Sequence, residues 1–182
     1  LKGFDTKRRM RYISKLYKKR TGEDLDWGDL ISYTEKMQWV KLFDANDEKT
    51  KLSDKIEVRP WIAEKIGEEY LIPIYGIMDN FDDIDFDGLP NQFVIKVNNG
   101  SGTNIIVKDK NRLNRKIAKA RIDYWLNVDR SYIKGFELHY SRIKPRIMIE
   151  KYIEYSAEDL PDYKFLCFNG KVCYCWVDVG RY

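Results

Sequence analysis

Residues 93–107 read FVIKVNNGSGTNIIV, in which one lysine interrupts an apolar run and a polar, glycine-containing stretch separates it from a second apolar run. The pattern predicts two strands joined by a glycine-rich loop. A lysine flanked by Ile95 and Val97 is costly to bury unless its ammonium group reaches a partner. Because the loop offers free backbone N–H groups, Lys96 and the loop together indicate an anion site, with phosphate as the first candidate.

Length and composition indicate an ordinary folded protein. The 182 residues suffice for one domain or two small lobes, and 13 Tyr, 8 Phe and 5 Trp exclude a disordered chain. No apolar run approaches the roughly 18–20 residues that span a bilayer, and no signal peptide opens the sequence. The three clustered cysteines, Cys167, Cys173 and Cys175, fit a reducing cytosol, and their spacing differs from a zinc knuckle. We therefore expect a cytoplasmic protein.

Positive charge is concentrated at the start of the chain. Residues 1–20 contain nine Lys or Arg and one Asp, a net charge of +8, whereas the whole chain carries +4, so the remainder carries −4. A basic amphipathic helix can contact an anionic polymer or the inner face of a membrane. Alternatively, its apolar side packs on the body and its basic face is only solvated, which is the interpretation we favour. No second basic stripe with interleaved aromatic residues follows, so nucleic acid is not an expected partner.

The front half of the chain predicts helices and one short strand. Helices are expected over residues 6–20, over 32–43 behind a Ser32–Glu35 capping box, and over 53–67, where Pro60 is expected to kink or restart the helix. A short buried strand is expected over 71–77. The acidic, turn-rich segment 81–90 is the predicted boundary between two lobes.

The back half predicts strands with one helix. Beyond the strands around Lys96, a helix is expected over residues 111–127, a strand over 146–153, and a hairpin on the Asn169-Gly170 turn. The predicted fold class is therefore α+β, with a helical N-terminal lobe (1–90) followed by a small antiparallel β lobe with one helix (91–182).

Three familiar phosphate motifs are excluded. The sequence contains neither G-x-x-x-x-G-K-[ST] nor a G-x-G-x-x-G that follows a strand. A protein kinase places its glycine loop before the strand lysine, whereas here the glycines follow Lys96. The order found here suits a lysine that meets phosphate while the next hairpin folds over it as a lid.

Five segments, in this order, are similar to the ATP-grasp superfamily, and specifically to its TupA-like branch of teichuronopeptide biosynthesis. They are SYTEKMQWVKLFD (32–44), SDKIEVRPWIAEKIGEEYLIPIYGI (53–77), FVIKVNNGSGTNIIVKDK (93–110), HYSRIKPRIMIEKYIE (139–154) and DYKFLCFNGKV (162–172). The resemblance implies an ATP-grasp-like fold whose core sheet begins within this chain.

The resemblance also implies a set of ATP-binding residues. Lys96 resembles the lysine that bridges the α- and β-phosphates and is the expected catalytic residue. The other expected nucleotide contacts are Lys55 and Arg59 at the phosphates, Gly100, Ser101 and Gly102 in the lid loop, Thr103 and Asn104 at its returning edge, Glu150, Lys151, Tyr152 and Ile153 in the adenine hinge, and Lys164 at a further phosphate or substrate contact. From the residues alone, surface charge explains Lys55, Arg59, Glu150 and Lys164 as well.

One departure from the superfamily pattern concerns the metal. ATP-grasp enzymes use ATP with Mg²⁺, commonly held by a late Glu-x-Asn, and this string is absent. We therefore expect the metal ligands beyond Tyr182, regard the chain as a C-terminally truncated fragment that does not turn over, and assign no metal ligand within it.

The resemblance implies a carboxylate–amine ligase. Such an enzyme phosphorylates a carboxylate, and an amine or related nucleophile then attacks the acyl phosphate. In this branch the substrate is expected to be a carboxylate-bearing sugar or amino acid in bacterial capsule or cell-wall polysaccharide synthesis. Two alternatives stay open. A nucleotide-sugar glycosyltransferase would use a D-x-D string, which occurs at Asp83-Ile84-Asp85 and Asp85-Phe86-Asp87. A non-catalytic module would bind anionic polymer through residues 1–20.

Overall fold

A computed structural model describes residues 2–132, 135–154 and 161–179. The chain divides into two compact units, Leu1–Lys151 and Tyr152–Tyr182. The boundary expected between residues 90 and 91 lies inside the first unit. The division into a helical lobe and a β lobe at that point stays a prediction.

The fold class is α+β, as predicted. The α-helices of the first unit are α1 (Thr6–Thr21), α2 (Tyr33–Phe43), α3 (Asp47–Ser53), α4 (Val58–Ile66) and α5 (Arg115–Asn127). Its strands are β1 (Ile74–Met78), β2 (Phe93–Val97), β3 (Asn104–Val107) and β4 (Ile147–Lys151). Short 3₁₀ helices lie at Glu68–Tyr70, Phe81–Asp83, Lys110–Arg112, Arg130–Tyr132 and Leu138–Arg142. The second unit contains β5 (Asp162–Phe168) and β6 (Lys171–Asp178).

The ends of the first two helices follow local sequence signals. The Asp5 side chain accepts a hydrogen bond from the Arg8 N–H at the start of α1, and Gly22 ends the helix in a left-handed conformation, with φ at 85°. The predicted capping box of α2 is present, because the Ser32 hydroxyl accepts from the Glu35 N–H while the Glu35 carboxylate accepts from the Ser32 N–H.

The helix predicted over residues 53–67 begins only at Val58, so its predicted start was wrong, and a separate helix, α3, precedes it. Helix α3 ends at Ser53, and the Asp54 carboxylate then accepts hydrogen bonds from the N–H groups of Ile56 (2.8 Å) and Glu57 (3.3 Å). That corner reorients the chain before α4, whose first turn contains Pro60 at a position where its missing N–H costs little. Helix α4 ends before Gly67, as predicted.

The sheet of the first unit is antiparallel, in the order β1-β4-β2-β3. One face packs against α5 and against the segment predicted as a connector. The buried core there consists of Phe81, Ile84, Phe86, Phe93, Ile95, Val97, Val107, Ala118, Ile122, Trp125, Ile147 and Ile149. The strand expected over 71–77 begins only at Ile74 and is an edge strand of alternating exposure, because it pairs with β4 alone.

A second core joins the front helices. Ile13 and Tyr17 of α1 pack with Leu25, Leu42 of α2 and Phe136. In the second unit, β5 and β6 form the predicted hairpin, with Asn169 and Gly170 both at positive φ (48° and 74°), as a type I′ turn requires.

Candidate functional site

Lys96 lies on the face of the sheet opposite the apolar core. Burial alternates along β2, so that Phe93, Ile95 and Val97 are fully buried while Lys96 shares the other face with Val94. The Lys96 side chain keeps 24% exposure, which leaves its ammonium group accessible from one side. The lysine inside the apolar run is therefore explained by strand alternation.

Glu150 of β4 is the direct partner of Lys96. Lys96 pairs in register with Met148 and lies diagonal to Glu150, a spacing that long side chains bridge. The Lys96 Nζ donates to Glu150 Oε2, while Arg59 Nη1 lies 3.8 Å from Glu150 Oε1. Because the Glu150 side chain is only 7% exposed, two cations hold one nearly buried carboxylate.

The corner between α3 and α4 brings Lys55 to the same place. Its Nζ donates to the backbone carbonyl oxygens of Asn98 (3.3 Å) and Gly100, so that the lysine spans the beginning of the glycine loop. Burial lowers the pKa of Lys55, and the positive charge of Lys96 lowers it further. Arg59, one helical turn later, is fixed by a 2.7 Å hydrogen bond from its Nη2 to the Ile72 carbonyl.

The charges around this cluster do not cancel. Arg59 and Lys96 contact the carboxylate of Glu150, while Lys55 lies close enough for its pKa to respond to the charges of Lys96, Glu150 and Arg130. An excess of positive charge held in fixed positions and partly shielded from water attracts anions. We call these five residues the cation cluster.

The glycine loop is shaped by contacts at both ends. The Thr103 hydroxyl donates to the carbonyl oxygens of Val97 (3.0 Å) and Gly100 (3.3 Å), which closes the hairpin. Arg130 Nη2 donates to the Ser101 carbonyl at 3.0 Å. A Cβ atom on Gly100 would come within 2.6 Å of the Arg130 side chain, so a larger residue here would displace that side chain.

A buried polar pair supports the loop from below. The fully buried Asn98 donates through Nδ2 to both carboxylate oxygens of Asp54, each at 2.9 Å, and to the Lys144 carbonyl at 3.1 Å. Its Oδ1 accepts from the Arg146 N–H at 2.7 Å. The Asp54–Asn98 pair therefore ties the corner that carries Lys55 to the end of β2 and the start of β4.

The remaining predicted residues lie at or beyond the edges of this site. Asn104 is exposed and pairs with Lys96 across β2 and β3. Gly102 takes φ at 73° in the loop. Lys151 ends β4 with an exposed side chain, and its N–H donates to the Pro73 carbonyl at 2.9 Å.

The other predicted contacts belong to the second unit. Tyr152 and Ile153 follow β4 outside regular structure. Lys164 lies on β5, where its Nζ donates to Asp162 and, at 2.7 Å, to Asp178 across the hairpin. The hairpin thus supplies Lys164 with two carboxylates of its own.

The acids of the D-x-D strings stabilise local turns. Asp85 Oδ1 accepts from the N–H groups of Asp87 (3.2 Å) and Gly88 (3.3 Å), and Asp83 Oδ2 accepts from Asn80 Nδ2 at 3.0 Å. Within residues 2–132, 135–154 and 161–179, no three His, Cys, Asp or Glu side chains are grouped as a metal site.

A polar pocket of about 530 Å³ lies beside the buried pair. Its walls combine cationic and acidic side chains. They include Asp47, Thr50, Lys51, Asp54, Glu57, Arg142, Ile143, Lys144 and Arg146. Arg146 Nη2 binds Glu57 at 2.5 Å and Arg142 Nη1 binds Asp47 at 2.8 Å, so that two guanidinium groups line one cavity. His139 lies on the same 3₁₀ helix as Arg142, and burial lowers the pKa of its imidazole.

Sequence reasoning missed three residues of this site: Asp54, Asn98 and Arg130. The Asp-Lys pair at 54–55 and the asparagine after β2 are visible in the sequence, but nothing in the local pattern pairs them. Arg130 is 29 positions from its partner Ser101 and follows no motif.

One comparison with known proteins gives a match. A family model described as TupA-like ATPgrasp matches residues 35–182. Searches of the curated proteins and of the solved structures found no match. No helix in the described ranges is long and apolar enough to cross a membrane.

Proposed function

This chain belongs to the TupA-like ATP-grasp family, and we propose that its cation cluster binds the phosphates of ATP in a carboxylate–amine ligase. The observation that carries the proposal is the convergence of three cations from two separate parts of the chain: Arg59 and Lys96 meet on the buried carboxylate of Glu150, and Lys55 donates to the backbone of the adjoining glycine loop. Family membership alone supports only an ATP-grasp type of activity, and the cluster supports this place for the nucleotide.

The proposed reaction has two steps. An oxygen of the substrate carboxylate attacks the γ-phosphorus of ATP, the bond to the β-phosphate oxygen breaks, and ADP leaves. The nitrogen of an amine then attacks the acyl carbon, phosphate leaves, and the amine loses a proton to give an amide. Enzymes accelerate such transfers mainly by positioning the reactants and by stabilising charge on the phosphoryl oxygens.

The residues of the cluster take distinct parts in this proposal. Lys96 meets the α- and β-phosphates, and Glu150 holds its ammonium group in place until the nucleotide enters. Lys55 fixes the loop through the Asn98 and Gly100 carbonyls while adding positive charge beside the phosphates. Gly100, Ser101 and Gly102 close over the nucleotide as a lid, and the Arg130 contact with Ser101 sets the position from which the lid moves.

The hinge and the metal complete the nucleotide assignment. Glu150, Lys151, Tyr152 and Ile153 form the adenine hinge in this proposal, and Lys164 makes a later phosphate or substrate contact. Mg²⁺ would neutralise charge on the transferred phosphoryl group, and we assign no residue of this chain to it.

The polar pocket beside the Asp54–Asn98 pair is the proposed place for the carboxylate-bearing substrate. Arg142 and Arg146 present guanidinium groups there, and guanidinium binds carboxylate in two-pronged geometry. The pocket volume of about 530 Å³ suits a sugar acid or an amino acid. A uronic acid or amino acid of capsule or cell-wall polymer synthesis is the substrate class that this family branch suggests.

A nucleotide-sugar glycosyltransferase is less well supported by the contacts. Asp83 and Asp85 accept hydrogen bonds within their own turn, and the Asp87 carboxylate lies 3.9 Å from Arg115 Nη2. They lie in the segment that packs on the core face of the sheet, whereas the cation cluster lies on the other face.

Nucleotide selectivity tests the proposal. We expect calorimetric titration with Mg²⁺ to show binding of ATP and none of UDP-glucose. Lys96→Met should abolish the ATP signal, and Lys108→Met should leave it unchanged, because Lys108 is an exposed lysine just beyond β3. Binding of UDP-glucose in preference to ATP would overturn the ligase proposal in favour of a sugar transferase.

A further inference from the structure

The exposed side of α1 forms a continuous basic face. At about 100° per residue, Lys7, Arg11, Lys15 and Lys18 project in nearly the same direction from the helix axis. Two further cations widen this face. The complete set, which we call the basic face, is Lys7, Arg8, Arg11, Lys15, Lys18 and Lys19, all of them exposed.

The other side of α1 is fixed in the protein core. Ile13 and Tyr17 are buried against Leu25, Leu42 and Phe136. This packing sets the rotation of the helix, so the basic face points to solvent. The apolar side is already used, so α1 cannot bind a partner by inserting that side.

Most of the positive charge on the basic face is uncompensated. In the part of the chain that the structure describes, Lys18 forms an ion pair with Asp24 at 2.7 Å, and the other five cations have no acidic side chain within ion-pair distance. The chain beyond residue 20 carries a net charge of −4. This polarity orients the molecule with α1 towards an anionic surface.

We propose that the basic face docks the protein peripherally on a bilayer rich in anionic phospholipid. The cations form a stripe about 17 Å long on the exposed side of a single helix, an arrangement that a flat surface can contact along its whole length. Proteins that bind single-stranded nucleic acid combine basic charge with a groove and stacking aromatic rings. Among the described residues of α1, Tyr12 is the one aromatic residue that borders this stripe. Its ring is held edge-on against Phe136, with the ring centroids 5.5 Å apart.

Docking of this kind would hold the protein at the membrane surface without a membrane-spanning helix. The inference does not rest on the nucleotide site, because α1 lies outside the cation cluster. From the sequence we favoured a basic face that is only solvated. The structure adds two observations, that the face is continuous and that few acidic side chains neutralise it.

Sedimentation with vesicles tests the proposal. The full chain is mixed with vesicles of phosphatidylcholine containing about 30 mol% phosphatidylglycerol, and with phosphatidylcholine vesicles alone. Each cation near an anionic leaflet strengthens binding by about fivefold, so Lys7→Gln/Arg11→Gln/Lys15→Gln should lower the partition coefficient by about a hundredfold. Binding should also weaken steeply with added salt.

A matched control separates the basic face from net charge. Lys36→Gln/Lys108→Gln/Lys116→Gln removes the same charge from exposed positions outside α1 and should lower binding by less than about fivefold. Circular dichroism should show equal helix content in all three proteins, because every altered side chain is exposed.

Three outcomes would overturn the proposal. The first is an equal loss of binding in both triple variants, and the second is equal binding to neutral and anionic vesicles. The third is that the chain does not bind vesicles but does bind RNA or an anionic polysaccharide. The last outcome would assign the basic face to a soluble polyanion.

Discussion

The Lys96–Glu150 pair gives the sharpest prediction about the site. Replacing Lys96 by Met keeps the apolar stem but removes the ammonium group that contacts a carboxylate of 7% exposure. Breaking a buried ion pair from one side costs about 3–5 kcal/mol, because the remaining charge stays desolvated. Arg59 remains 3.8 Å from the other oxygen, and Lys96 itself was partly solvated, so we expect the low end, about 3 kcal/mol.

The converse change should cost less. Glu150→Gln removes the carboxylate and leaves the ammonium group of Lys96 free to turn towards water, since that side chain is 24% exposed. We expect a loss of about 1–2 kcal/mol from this variant. The double variant Lys96→Met/Glu150→Gln should lose only about 2 kcal/mol, because no unpaired charge is left buried.

Urea unfolding of the four proteins measures these differences as a double-mutant cycle. The expected coupling free energy between Lys96 and Glu150 is about 2–3 kcal/mol. A control cycle on Lys119 and Asp82, an exposed ion pair of 2.7 Å, should give less than about 1 kcal/mol. A coupling no larger than that of the control would refute the inference that the Glu150 carboxylate holds Lys96.

Three further predictions concern the loop and its supports. Gly100→Ala should destabilise the fold by about 1–2 kcal/mol in the urea assay, because the added Cβ clashes with the Arg130 side chain. Combining it with Arg130→Ala should remove that cost. The cost of Gly102→Ala comes from positive φ, so it should persist when Arg130 is also replaced. Asn98→Ala should lower the free energy of unfolding by about 2–4 kcal/mol, because it leaves the buried partners of Asn98 without hydrogen bonds. Asn98→Asp should lower it further, since it places a second carboxylate against Asp54. Equal stability of the wild type and Asn98→Ala would show that Asn98 does not support the site. The pKa of Lys55 is lowered by burial and by the charge of Lys96, so ATP affinity should begin to fall with rising pH before an ordinary lysine loses its proton. The Lys55→Arg variant should bind ATP equally over that range, and identical pH profiles of the two proteins would contradict the assignment.

The lowered pKa of Lys55 also has a consequence for stability. Between its folded-state value and 10.5, the unfolded chain holds more protons than the folded chain. Stability contributed by this group therefore rises with pH through that window, in the direction opposite to the change in nucleotide affinity.

The elements that the sequence predicted well are those with short-range signals. Strands β2 and β3, the capping box of α2 and the Asn169-Gly170 hairpin each depend on residues within a few positions of one another. An isolated cation in an apolar run was expected to reach a partner, and the ion pair of Lys96 with Glu150 meets that expectation. These features are local, and local chemistry decides them.

The features that escaped prediction depend on contacts distant in the chain. Asp54 meets Asn98 across 44 positions, and Arg130 reaches Ser101 across 29. The start of α4 was misplaced because the short, polar α3 (Asp47–Ser53) shows no apolar period, and because the Asp54 turn between the two helices carries no breaker residue. The segment 81–90 resembled a connector because acidic residues surround its two phenylalanines. The structure buries both of those phenylalanines in the core.

The roles of individual residues at the nucleotide depend on the phosphate contact of the cation cluster. That contact is measured most directly by comparing adenosine, AMP, ADP and ATP as ligands of the wild type and of Lys96→Met. We expect affinity to rise by about tenfold or more between adenosine and ADP in the wild type, because charge-assisted contacts to Lys55 and Lys96 are added. The variant should lose most of this increment while its affinity for adenosine stays unchanged. Equal losses for adenosine and ADP, or no gain from the phosphates in the wild type, would contradict the account.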